Sequence, residues 1–154
     1  HARAAPDKPA IVHGDRTLTY GELDPLVSHA GAWLYSMGLA PGDVVGVALK
    51  DSIEHLVAMS GLARAGIVLL PLDWRWTPEE QDRVIAHFGA KLALVEPGRP
   101  QPKNCPCVSV SDGFLSSIRS SRPDRAFPEG DIPLLMSLSS GTTGRPKEIG
   151  RAHV

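Results

Sequence analysis

Three short segments are apolar without alternation: Val44-Val45-Gly46-Val47-Ala48-Leu49, Ile67 to Leu72, and Lys91 to Val95 after its first residue. A strand with one wet face alternates apolar and polar residues. A continuous run suits a strand covered on both faces, as in a parallel sheet between helices. The intervening segments carry helix signals. Ser52 opens one helix, with Ile53, Leu56 and Val57 at helical spacing and Gly66 at its close. Thr77-Pro78-Glu79-Glu80 opens the next, with an N-cap, a proline at the first helical position and a glutamate at the third. Val84, Ile85 and Phe88 form its buried stripe and Gly89 ends it. This β-α-β-α-β rhythm predicts an α/β fold with a mainly parallel sheet flanked by helices.

A hairpin is expected ahead of the sheet. Ala10 to His13 and Arg16 to Thr19 are strand-like and are joined by Gly14-Asp15, a two-residue Gly-X loop. Thr19-Tyr20-Gly21-Glu22 fits a capping box, and apolar residues from Leu23 to Met37 recur at helical spacing. Pro25 leaves two readings: a helix from Thr19 that kinks there, or one starting a turn later with Asp24 as N-cap and Pro25 at the first helical position. Beyond Val95, Glu96 to Cys107 reads as a loop, Val108 to Val110 as a short strand and Phe114 to Arg119 as a turn of helix. Ile132 to Leu138 is again strand-like.

Composition excludes more than it selects. A length of 154 residues suits one domain with a sizeable core. A net charge of -1 argues against a nucleic acid or an anionic membrane as the main partner. No apolar run approaches the roughly 20 residues of a membrane span. Cys105-Pro106-Cys107 has the wrong spacing for a zinc knuckle, and the six histidines show no ligand spacing, so no metal site is expected. Trp33 is expected to pack beside the first helix. Trp74 and Trp76 stand at a loop mouth, where packing and a substrate-side role both stay open. Asp51, Glu54, Glu79 and Glu80 read as helix-start acids favoured by the dipole. A reducing compartment, the cytoplasm, is the expected location.

One segment carries chemistry. The strand-like Ile132 to Leu138 runs into Ser139-Ser140-Gly141-Thr142-Thr143-Gly144-Arg145-Pro146-Lys147. Two glycines allow a tight backbone turn that gathers N–H groups into one concavity, where an anion can collect them. The hydroxyls of Ser139, Ser140, Thr142 and Thr143 add donors, and Lys147 offers a point positive charge for a phosphate. The spacing is not that of the NTPase P-loop, because Pro146 separates Gly144 from Lys147.

This nine-residue string resembles the signature of the adenylate-forming (AMP-binding) superfamily, which includes acyl-CoA synthetases and the adenylation domains of nonribosomal peptide synthetases. Leu18-Thr19-Tyr20-Gly21-Glu22-Leu23-Asp24, Gly38 to Val47, and Arg64-Ala65-Gly66 through Pro71-Leu72-Asp73 to Glu80 resemble its other blocks, in the same order over nearly the whole chain. The resemblance implies part of an N-terminal domain, residues 1–147, that stops at the phosphate loop. It implies a ligase that activates a small-molecule carboxylic acid with Mg-ATP as an acyl-adenylate, releases pyrophosphate, and transfers the acyl group to a thiol such as coenzyme A. By this likeness Ser139, Ser140, Gly141, Thr142, Thr143, Gly144 and Lys147 bind the departing phosphates. No catalytic side chain and no metal ligand is assigned within the chain, because the family's remaining motifs lie downstream, so the segment alone is expected to be inactive.

The alternatives are a peptide-synthetase adenylation domain and a non-catalytic α/β phosphate-binding module. The stretch Pro71 to Glu80 looks more like acyl-CoA synthetases. Residues 148–154 are expected to be a non-native tail. Ile149-Gly150-Arg151-Ala152-His153-Val154 is the translation of ATC GGA AGA GCA CAC GTC, a string found in short-read sequencing adapters.

Overall fold

The computed structural model describes residues 1–123, 126–129, 133–139 and 147–153, with side chains up to residue 136. Strands β1 (Pro9–His13) and β2 (Arg16–Thr19) pair antiparallel, His13 opposite Arg16. Gly14 between them takes φ 58°, which the first position of a primed hairpin turn requires. Helix α1 (Tyr20–Ser36) comes next, capped by Thr19: its hydroxyl accepts from the Glu22 amide and the Glu22 carboxylate accepts from the Thr19 amide. The earlier of the two possible starts is therefore the real one, and Pro25 lies inside the helix. Arg64 shores up this stretch, donating to the Asp24 carbonyl, the Asp24 carboxylate and the Ser28 hydroxyl.

The main sheet contains β3 (Val44–Ala48), β4 (Val68–Pro71), β5 (Leu92–Val95), β6 (Cys107–Ser109), β7 (Pro133–Ser139) and β8 (Lys147–His153), in the order β6-β5-β3-β4-β7-β8. The pairs from β6 through β7 are parallel, and β8 runs antiparallel on β7. Helices α2 (Ile53–Arg64), α3 (Pro78–Phe88) and α4 (Phe114–Ile118) complete the fold. The α/β class and the hairpin match the sequence reading. Residues 148–153, which fall in the segment expected to be a non-native tail, lie with Lys147 in the edge strand β8.

The strands split the core by alternation. Val45, Val47, Leu49, Leu69, Leu92 and Leu94 join α1, α2 and α4 on one face. Ala48, Val68, Leu70, Ala93 and Val95 join Val84 and Ile85 of α3 on the other. Both faces are covered, which is why the runs do not alternate in polarity. Each fully buried aliphatic side chain contributes about 1.5–3 kcal/mol. Trp33 packs on the first face, edge-on to Phe114 at 5.3 Å between ring centroids.

Helices α1 and α2 meet through glycine. A Cβ on Gly61 would stand 2.5 Å from the Ala30 Cβ and 3.3 Å from the Gly31 amide nitrogen. Gly31 in turn admits Phe127, whose ring lies 5.9 Å from that of Tyr35. Glu54 departs from its reading as an ordinary helix-start acid. It sits in the first turn of α2 but is 3% exposed, and its carboxylate accepts from Arg16 of the hairpin at 2.8 Å. Sequence spacing could not reveal this, because the partner lies 38 residues away on another element.

Candidate functional site

Parallel pairing brings the carboxyl ends of β3, β4, β5 and β7 to one edge of the sheet, and ligands of open α/β sheets bind outside that edge. The connections also reverse direction here. The chain passes from β3 through α2 to β4 on one side, then through α3 to β5 on the other side of β3. The loops that leave the strands at this edge form the candidate site.

After β4 the chain turns through Asp73, Trp74, Arg75 and Trp76 before α3. These residues, with Pro71, Leu72, Leu135 and Met136, line an open cleft of about 590 Å³. The turn is held by its own polar groups. The Asp73 carboxylate accepts from the Arg75 amide at 2.9 Å and from the Arg75 guanidinium at 2.9 and 2.6 Å. The Asp73 carbonyl accepts from the Trp76 amide at 3.0 Å. The Arg75 hydrogen bonds hold the Asp73 pKa well below the carboxylate range, at about 2. Because the native pKa is depressed, the attraction is fully present above the ordinary carboxylate range and is lost as pH falls from about 4 through about 2. Carbon-detected NMR titration should give a midpoint near that value, and Arg75→Ala should return it toward about 3.9. An unchanged midpoint in the variant would refute the pairing.

Trp74 is flanked by two cations that arrive from other strands. Lys50, just after β3, places Nζ 4.7 Å from the indole centroid, and Arg99, just after β5, places Cζ at 5.4 Å. Lys50 is oriented by Glu96, which accepts from its amide at 3.0 Å and pairs with its ammonium at 3.6 Å. The sequence reading singled out Trp74 but missed Lys50 and Arg99, because only the common end of parallel strands makes them neighbours.

Ser139 and Lys147, the ends of the phosphate-loop string, are paired across β7 and β8. Ser140, Gly141, Thr142, Thr143 and Gly144 lie outside the described residues, as do the side chains of Ser139 and Lys147. The chain thus leaves β7 at the carboxyl edge, on the strand beside the one that delivers Trp74.

A smaller cavity of about 310 Å³ lies at the same edge, lined by Lys50, Asp51, Ser52, Glu54, Glu96 and Asp112 among others. Its Glu54 is satisfied by Arg16. Among the described residues no group of three or more His, Cys, Asp or Glu is placed to hold a metal. His55 is half-buried with Nδ1 3.9 Å from Asp51, and desolvation lowers its pKa despite that carboxylate. Burial, then the neighbouring Cys107, pushes the Cys105 thiol up to about 12. A thiol so protonated is a poor nucleophile. Among the described residues no helix is long and apolar enough to cross a membrane.

Comparison with known proteins agrees with this architecture. The sequence model of the family described as AMP-binding enzyme matches residues 1–153. Cyclosporin synthetase simA of Tolypocladium inflatum is 33% identical over 97% of this chain, which spans 1% of that protein. Fatty acid--[acyl-carrier-protein] ligase ScoC of Streptomyces coeruleorubidus is 32% identical over 99% of the chain, which spans 31% of its length. The structure of VinN with 3-methylaspartate superposes with a TM-score of 0.84 at 24% identity, over 96% of this chain and 44% of that one. The N-terminal subdomain of Klebsiella oxytoca NpsA in complex with 3-hydroxybenzoyl-AMSN gives 0.80 at 24% identity, over 95% and 37%. The chain therefore spans less than half the length of each of these proteins. With the family model matched over residues 1–153, the chain belongs to the AMP-binding, adenylate-forming enzymes.

Proposed function

We propose that this chain is part of an ATP-dependent ligase that activates a carboxylic acid and passes it to coenzyme A. In the first step a carboxylate oxygen attacks the α-phosphorus of ATP, the bond to the β-phosphate oxygen breaks, and pyrophosphate leaves. In the second a thiol attacks the acyl carbonyl and AMP leaves. Within this chain the work is binding and positioning of charge. Backbone N–H groups of the loop from Ser139 to Gly144, their hydroxyls and Lys147 would hold the β- and γ-phosphates. Magnesium, when bound with ATP, neutralises phosphate charge, and no residue of this chain is assigned to it. ATP supply and two free thiols fit a cytoplasmic setting.

The observation that favours coenzyme A over a carrier protein is Trp74 with Lys50 and Arg99 over its ring at the carboxyl edge. Two cations gathered over one indole make a positive aromatic patch, which suits an anionic nucleotide. The resemblance of Pro71 to Glu80 to acyl-CoA synthetases points the same way. The competing reading, a peptide-synthetase adenylation domain that loads a carrier protein, draws on relatives such as simA.

The test uses the full-length ligase encoded by the source gene. Carboxylic acid-dependent ATP–pyrophosphate exchange reports the first step and thioester formation the second. Trp74→Ala and Arg99→Ala should each raise the KM for coenzyme A about tenfold, the equivalent of about 1.4 kcal/mol of lost binding, while exchange persists. Turnover with a phosphopantetheinylated carrier protein and none with coenzyme A would favour the other reading. Residues 148–154 are a non-native tail on this reading, and genomic DNA that encodes them in place would overturn that.

A further inference from the structure

Gln81 is the one buried side chain among the described residues with an unpartnered polar atom. It is 3% exposed, on the first turns of α3, and its Oε1 has no hydrogen-bond partner. Its Nε2 donates to the Asp73 carbonyl at 3.3 Å, and its amide donates to the Thr77 carbonyl at 3.0 Å. Turning the amide over would set Oε1 against the Asp73 carbonyl oxygen, acceptor against acceptor, so this orientation is the one the surroundings allow.

Such a residue is a poor choice for stability. A buried acceptor without a donor is costly, whereas an apolar side chain of the same shape is neutral or stabilising. What the glutamine provides is a position. The Asp73 carbonyl it holds begins the turn that carries Trp74 and Arg75 along the cleft. The Trp76 amide grips the same carbonyl from within the turn, but Gln81 ties it to the helix. Residues that break a local rule of polar satisfaction are expected where function demands it.

We infer that Gln81 is a positioning residue for the acyl acceptor, setting Trp74 against the acceptor's nucleotide through the Asp73 carbonyl. This rests on the coenzyme A reading proposed above. Gln81 touches neither acid nor ATP on this view, so its effect is confined to the second step.

The experiment compares Gln81→Met and Trp74→Ala in the full-length ligase. Methionine keeps the length and removes both the donor and the orphaned acceptor. The expected result is a KM for coenzyme A raised about three- to tenfold in Gln81→Met, with an unchanged or higher melting temperature and ATP–pyrophosphate exchange within twofold. If Trp74→Ala raises that KM and Gln81→Met does not, the inference falls while the coenzyme A reading stands. If neither variant moves it, the coenzyme A reading falls and takes the inference with it. A lowered melting temperature with both steps reduced alike would mark Gln81 as merely structural and overturn the inference.

Discussion

Replacing Gly61 with valine is expected to cost about 2 kcal/mol of stability, because it drives a branched side chain into the seam between α1 and α2. The first added carbon alone would stand 2.5 Å from the Ala30 Cβ, 3.2 Å from the Ala30 carbonyl carbon and 3.3 Å from the Gly31 nitrogen. Two of those three atoms are backbone and cannot rotate away, so relief requires the helices to part. Parting them would loosen Leu62, Leu34 and Leu26, all 2% exposed or less. Helix propensity works the other way: valine is a few tenths of a kcal/mol better than glycine in a helix interior. Overpacking of a dense core is worth about 1–3 kcal/mol and wins. Denaturant unfolding of the full-length protein measures the loss. Equal midpoints for Gly61→Val and the parent would show that the seam is not close-packed.

The second large effect concerns charge. On the proposed reading, Lys147→Ala in the full-length ligase should lower acid-dependent ATP–pyrophosphate exchange by about 10²–10³-fold, the scale seen when one preorganised stabiliser of developing charge is removed. The pyrophosphate leaving group gathers negative charge as its bond to the α-phosphorus breaks. A fixed ammonium at that point stabilises the transition state more than the ground state. Lys147→Arg should retain part of the rate, since the charge remains but its shape changes. Full exchange in Lys147→Ala would remove this residue from the phosphate site.

Much of the fold was legible because its signals are local. The Thr77-Pro78-Glu79-Glu80 string closes a capping box within four residues, and both of its reciprocal hydrogen bonds are present, Glu80 amide to Thr77 hydroxyl and Thr77 amide to Glu80 carboxylate. Gly89 caps the same helix with φ 64°, a conformation glycine adopts without penalty. Pro25 shows where local reasoning stopped. Proline opposes a helix interior, yet the Thr19 capping box prevails and Arg64, forty residues on, braces the Asp24 and Ser28 region.

The family was readable from the chain alone, through a glycine and hydroxyl string that needs no distant partner to announce itself. By itself the sequence determined the α/β class, the hairpin and the caps, all from short-range pattern, while the phosphate role of the loop after β7 is carried by the family resemblance and the proposal built on it. Only the tertiary structure decided that Lys50 and Arg99 flank Trp74, that Arg16 satisfies Glu54, and that Gln81 holds the Asp73 turn. The first of these depends on strand order. A parallel sheet carries every strand's end to one edge, so residues far apart in the chain meet there, and no spacing in the sequence records which ones will.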